Sequence, residues 1–131
     1  MGATHRDTLE SWVQTAMAQM LQRKFEKAEG TLRPTCNAYV DAKLDVWQRY
    51  SCQVLLAESL VAEKRFNEAE PMLLAGYDGL RQREASIPAV SKPTLDRAAA
   101  WLVRLYTEEG KPELAEQWKK KPTTTAGPTK Q

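Results

Sequence analysis

One histidine and two cysteines are the side chains in this 131-residue chain best suited to nucleophilic or metal chemistry. A catalytic thiol needs an imidazole within hydrogen-bond reach to take its proton, and a third group to orient that imidazole. His5 stands near the N-terminus, far along the chain from Cys36 and Cys52, and nothing beside it is placed to orient its ring. The cysteines have neither C-x-x-C spacing nor a neighbouring histidine, so the spacing of a zinc site is missing. They read as two small, buried or half-buried residues in a reducing compartment. The carboxylates Glu26, Glu29, Glu68 and Glu70 recur in a regular pattern, but with Lys and Arg at helical spacing around them. Such carboxylates cap helix starts and pair along a helix face. No catalytic, cofactor or metal site is expected, and the chain is expected to be no enzyme.

That regular pattern shows what organises the chain. Lys24-Phe25-Glu26-Lys27-Ala28-Glu29 aligns without a gap on Arg65-Phe66-Asn67-Glu68-Ala69-Glu70, so that Phe25 and Phe66 stand 41 residues apart. Self-similarity at this period marks stacked supersecondary units, each too small to bury its own apolar face. An aromatic followed three residues later by Ala suits a helical hairpin: the ring fills the gap between two helices and the Ala lets them approach. Composition agrees with a folded chain, at 42% hydrophobic residues with four Trp. The formal net charge is +2, from 19 basic and 17 acidic residues interspersed, which gives no case for a nucleic-acid or membrane partner. The first residues lack the apolar stretch of a secretory signal, and no apolar run approaches the roughly 20 residues of a membrane span. A soluble, cytoplasmic protein is expected, or else a piece of a larger protein addressed by another segment.

Taken in order, residues 1–6 are expected to be flexible, and Asp7 with Glu10 predicts a capped helix start. Leu9, Trp12, Val13, Ala16, Met20 and Leu21 give the first helix an apolar face. The second carries Phe25, Ala28, Leu32, Cys36 and Tyr39, with Pro34 inside it, where a kink or loosening is expected. The third is predicted over 44–63. Asn67 is expected to cap a fourth that tolerates Pro71 and runs to about Ser86, with Gly76 and Gly79 expected to admit a neighbouring helix. After the proline-bracketed break Ile87–Pro93, Ser91 is expected to cap a fifth helix ended by Gly110, and Pro112 opens a short sixth. Residues 122–131, rich in Thr and Pro, are expected to be disordered. No stretch alternates as a strand would. The prediction is an all-α domain over 7–121, made of three antiparallel hairpins at about 7–43, 44–87 and 91–121.

Three passages carry a family resemblance: His5 to Leu9, Trp47 ahead of the second repeat, and Phe66 through Pro88, FNEAEPMLLAGYDGLRQREASIP. Together with Leu95–Trp118 they resemble tetratricopeptide repeats (TPR) of the kinesin-light-chain-like kind. They are similar above all to the C-terminal repeat region of bacterial serine/threonine protein kinases of the planctomycete type. The resemblance implies a right-handed solenoid acting as a docking or scaffolding region. Thr15, Arg23 and Pro34 depart from the repeat's usual residues. His5-Arg6-Asp7 also spells a kinase catalytic-loop tripeptide, but that loop needs an Asn five residues after the Asp, where Trp12 stands. The tripeptide reads as a helix start.

In such repeats the first helix of each hairpin lines a concave surface. Projected onto this chain, the register places Val13, Met17, Met20 and Leu21 there, then Val54, Glu58 and Val61, then Arg104, Thr107 and Glu108. This is not the Lys and Asn set that grips a C-terminal carboxylate. A Met-rich apolar strip suits an amphipathic helix or an extended apolar peptide of a partner protein. The alternatives are that the Met side chains fill gaps between helices, or face a second copy in a homodimer, leaving a structural self-association or spacer role. Trp12, Trp47, Trp101 and Trp118 are spread over the hairpins and are expected to pack between them.

Overall fold

The computed structural model describes residues 6–120, with side chains from Thr8 onward. The chain is all-α, with six helices among the described residues: α1 (Arg6–Leu21), α2 (Phe25–Asp41), α3 (Trp47–Ala62), α4 (Phe66–Gln82), α5 (Pro93–Glu108) and α6 (Pro112–Lys119). Each packs on the next in sequence, and α3 also touches α1 and α5. The odd helices therefore form one layer of a stack of helical hairpins. α1 already includes Arg6 and Asp7, so Asp7 is no cap and Arg6 is helical rather than part of a flexible end; the rest of the expected flexible N-terminus and the disordered tail lie outside the described residues.

α3 is the centre of the stack. Every residue from Val54 to Val61 is buried, so this helix is covered on all sides by α1, α2, α4 and α5. The other helices are amphipathic. α2 buries Ala28, Leu32, Thr35 and Tyr39, and α5 buries Leu95, Ala98, Ala99, Leu102, Leu105 and Tyr106, both at i, i+3/i+4, i+7 spacing. Trp47, Trp101 and Trp118 are half-buried against the core, and Trp118 meets the Tyr77 ring edge-on at 4.8 Å. Trp12 departs from the expectation. It is 47% exposed, on the outer face of the first helix.

The 41-residue period has a structural counterpart. Arg65 donates to Glu29 at 2.9 Å, and Tyr106 donates to Glu70 at 2.8 Å. Glu29 and Glu70 are equivalent in the repeat, so the same carboxylate ties each hairpin to the next, received by Arg65 just after a turn in one case and by Tyr106 within α5 in the other. The turns repeat too. In three links a residue with a side chain adopts left-handed backbone: Arg23 (φ 62), Lys43 (φ 58) and Lys64 (φ 64), with Gly110 (φ 76) in the fourth. In each, two N–H groups reach back onto the last turn, as Lys24 N to Gln19 O (2.8 Å) and Arg23 N to Met20 O (2.9 Å). This is the Schellman closure, which satisfies carbonyls that a helix end would leave orphaned. Left-handed backbone at a residue bearing a side chain costs about 1–2 kcal/mol, so three of these turns are held by the packing of the helices they join.

Some helix boundaries differ from expectation. α2 is continuous through Pro34, which lies on the exposed side, where water can meet the carbonyl that lost its donor. The hydroxyls of Thr31 and Thr35 bond back to the carbonyls of Lys27 and Thr31 along the same stretch. Asn67 is no cap. α4 begins at Phe66, directly after the left-handed turn, so Asn67 is already helical and Arg65 occupies the cap position without a side-chain bond. Ser91 is no cap either. It ends a short 3-10 turn, Lys92 takes the cap position, and Pro93 at the first helical residue has no N–H that needs one. α4 also stops four residues early, at Gln82, because Glu84–Ser86 tightens into a 3-10 turn that drops Ile87 into the core.

Candidate functional site

One face of α1 and α3 and the first turns of α5 leave a groove between them with a volume of about 550 Å³. The repeat explains its composition. Counted back from the left-handed residues Arg23, Lys64 and Gly110, Glu10, Ser51 and Arg97 are equivalent positions in the three odd helices, and all three line it. Val13 and Met17 of α1 form one apolar wall, and Trp47, Val54 and Leu55 of α3 form the other. Gln14, Gln48 and Thr94 supply polar atoms along it. Gln48 holds its amide nitrogen 3.5 Å from Glu10, and its Oε1 is buried with no donor among the described residues.

The floor carries a charge pair. Glu58 is fully buried in the last turns of α3. Arg97 of α5 brackets its carboxylate, with Nε at 3.0 and 2.9 Å from the two oxygens and a terminal nitrogen at 2.8 Å. Burial disfavours the carboxylate more than the guanidinium favours it, and the Glu58 pKa is pushed up to about 7. Arg97 is raised as well, by its hydrogen bonds to Glu58, and 44% of its side chain stays open to the groove. So the guanidinium is charged throughout, while the carboxyl beneath it titrates near neutrality.

Of the ten residues expected to line a concave face, Val13, Met17, Val54 and Glu58 line this groove. The other six do not. Met20 is buried in the core at 7% exposure, Val61 is fully buried, and Leu21 is 85% exposed at the end of α1. Arg104, Thr107 and Glu108 are exposed on the later turns of α5. There Arg104 stacks 4.6 Å over Trp101 and donates to Glu108 at 2.8 Å. That bond, with Lys64 nearby, holds Glu108 below its usual range. The register along each odd helix was legible, but α5 enters the groove with its first two turns only. Arg97 and Thr94 therefore take the place foreseen for Arg104 and Thr107. The equivalence of position 97 to positions 10 and 51 was the available signal.

Among the described residues, no cluster of three or more His, Cys, Asp or Glu is arranged to hold a metal ion, and no helix is long and apolar enough to cross a membrane. No family model, curated protein or solved structure matches the chain.

Proposed function

We propose that this chain is a non-catalytic protein-interaction module of the tetratricopeptide type, and that the groove between α1, α3 and α5 holds an apolar segment of a partner protein with a basic flank. The observation that carries this reading is the groove wall: Val13, Met17 and Trp47 are only partly covered by the core and face a common space. Met adapts its shape to a varied apolar ligand. Charge sets the flank. Arg97 is engaged by Glu58, and the exposed carboxylate of Glu10 at the mouth has no cationic partner among the described side chains, so a Lys or Arg beside the apolar anchor is favoured. By the resemblance of Phe66–Pro88 to kinase-associated repeats, the module would serve as a docking or scaffolding region in a cytoplasmic, kinase-containing protein.

The competing occupant is a second copy of the chain, and molar mass separates the two. Light scattering across a dilution series is expected to give a monomer for the wild type and for Met17→Glu, with helicity intact in both. Met17 is the residue to change, because Met20 sits in the core and a charge there would unfold α1. A wild-type dimer that Met17→Glu splits into folded monomers would overturn the open groove and leave self-association in its place.

A further inference from the structure

On the face of α3 turned away from the groove, Cys36 of α2 and Cys52 of α3 are both free thiols, with their sulfur atoms 2.7 Å apart. Sixteen residues separate them in sequence, and the α2–α3 packing brings them together. Their exposures differ. Cys52 is wholly buried, whereas Cys36 is partly open and lines a surface cavity of about 440 Å³ with Arg33, Arg49 and Met72. Arg33 is engaged by Glu29 and Glu68, but the Nε of Arg49 is buried with no partner among the described residues. The thiolate is the species that attacks an oxidant, and Cys36 is the sulfur of the pair that an oxidant can reach.

We propose that this pair is an oxidation site, at which hydrogen peroxide converts Cys36 and Cys52 into an intramolecular disulfide joining the first hairpin to the second. The Cys36 thiolate attacks one peroxide oxygen, the O–O bond breaks, and Cys36 becomes a sulfenic acid while the released hydroxide takes up a proton as water. The Cys52 sulfur then attacks the Cys36 sulfur. The S–O bond breaks, a second water leaves with the Cys52 proton, and the S–S bond forms. Two thiols are oxidised by two electrons and one peroxide is reduced to two waters. The roles follow from exposure: Cys36 meets the oxidant, and Cys52, against which it already rests, resolves the intermediate. The hydrogen bond with Cys36, together with burial, pushes the Cys52 thiol up, so it stays protonated until that step.

The test treats the folded 131-residue chain with hydrogen peroxide and reads intact mass, free thiols and melting temperature. Expected is a loss of two hydrogens per chain, the disappearance of both thiols, a peptide map joining the segments that hold Cys36 and Cys52, and a higher melting temperature that a dithiol reductant reverses. Cys52→Ser should leave a sulfenic acid on Cys36 that dimedone traps, and Cys36→Ser should leave Cys52 unmodified. Two free thiols after treatment, a disulfide between chains, or a wild-type Cys36 that proceeds to sulfinic acid would each overturn the proposal. The wild-type mass decides the matter even if either variant folds poorly.

Discussion

Glu58→Gln should flatten the dependence of stability on pH between about 4.5 and 7. The folded carboxyl titrates at about 7, against 4.5 for an unstrained one. Below 4.5 it is protonated in the folded and the unfolded chain alike and has no effect on the slope. Between the two values the folded chain binds the proton and the unfolded chain does not, so stability falls as pH rises, and above 7 the loss is complete. This is opposite to the usual carboxylate, whose pairing lowers its folded pKa. The loss amounts to about 3 kcal/mol over the window. Urea denaturation at pH 5 and pH 8 checks it. Wild type should be more stable at pH 5 by an amount of this order, and Glu58→Gln should lose most of that difference. Arg97→Ala sharpens the contrast, because it strands the buried carboxylate. Its cost should lie toward the lower end of the roughly 3–5 kcal/mol of a broken buried pair, since Arg97 is partly solvated and the carboxyl can escape by taking a proton. That cost should be largest at pH 8. An unchanged pH slope in Glu58→Gln would mean that the floor of the groove is wetter than its geometry.

Gly79→Ala should destabilise the fold although Ala is the better helix former. In isolation the change gains about 1 kcal/mol of helix propensity. Here a Cβ at Gly79 would overlap the Tyr50 ring, and one at Gly76 would come 2.7 Å from Val54 Cγ2. The expectation that these glycines admit a neighbouring helix is met at both positions. The ring has no easy retreat. Tyr50 donates to Asp45 at 2.8 Å, Arg83 stacks over the ring at 4.4 Å, and Arg83 itself donates to Asp45 at 2.6 Å and to the Gly79 carbonyl at 3.0 Å. Displacing the tyrosine breaks this cluster, which ties the start of α3 to the end of α4. The expected net loss is about 2 kcal/mol, within the range for overpacked cores. In a Tyr50→Ala background the same change should become neutral or stabilising, and a double-mutant cycle by chemical denaturation reads the coupling. A stabilising Gly79→Ala in the wild-type background would contradict the close approach.

These residues also show what the sequence could and could not disclose. The 41-residue repeat, the Phe and Ala at its turns, and the apolar periodicity were enough to place six helices and pair them, because each hairpin's burial pattern is local. Lys64 and Arg23 stand at left-handed positions that usually call for Gly, so the turns were legible only through the repeat. Asn67 and Ser91 misled as caps because tight turns set the cap positions elsewhere, at Arg65, two residues before Asn67, and at Lys92, one residue after Ser91. Within the groove, Val13 and Met17 followed from register alone. Arg97 did not, because its partner Glu58 is 39 residues away and long side chains join turns that a helical wheel keeps apart. The meeting of Cys36 with Cys52 depends on the rotation of α2 against α3, which periodicity leaves undetermined.

The measurement that bears most directly on the groove is selection from a random-peptide display library. Wild type serves as bait, and a folded Val13→Asp/Met17→Glu variant serves as counter-bait. Selected peptides should share an apolar anchor with a neighbouring Lys or Arg, bind the wild type, and lose at least tenfold in affinity against the variant. Binders that hold both baits equally, or a library that yields none against a monomeric wild type, would contradict a groove built to receive a partner.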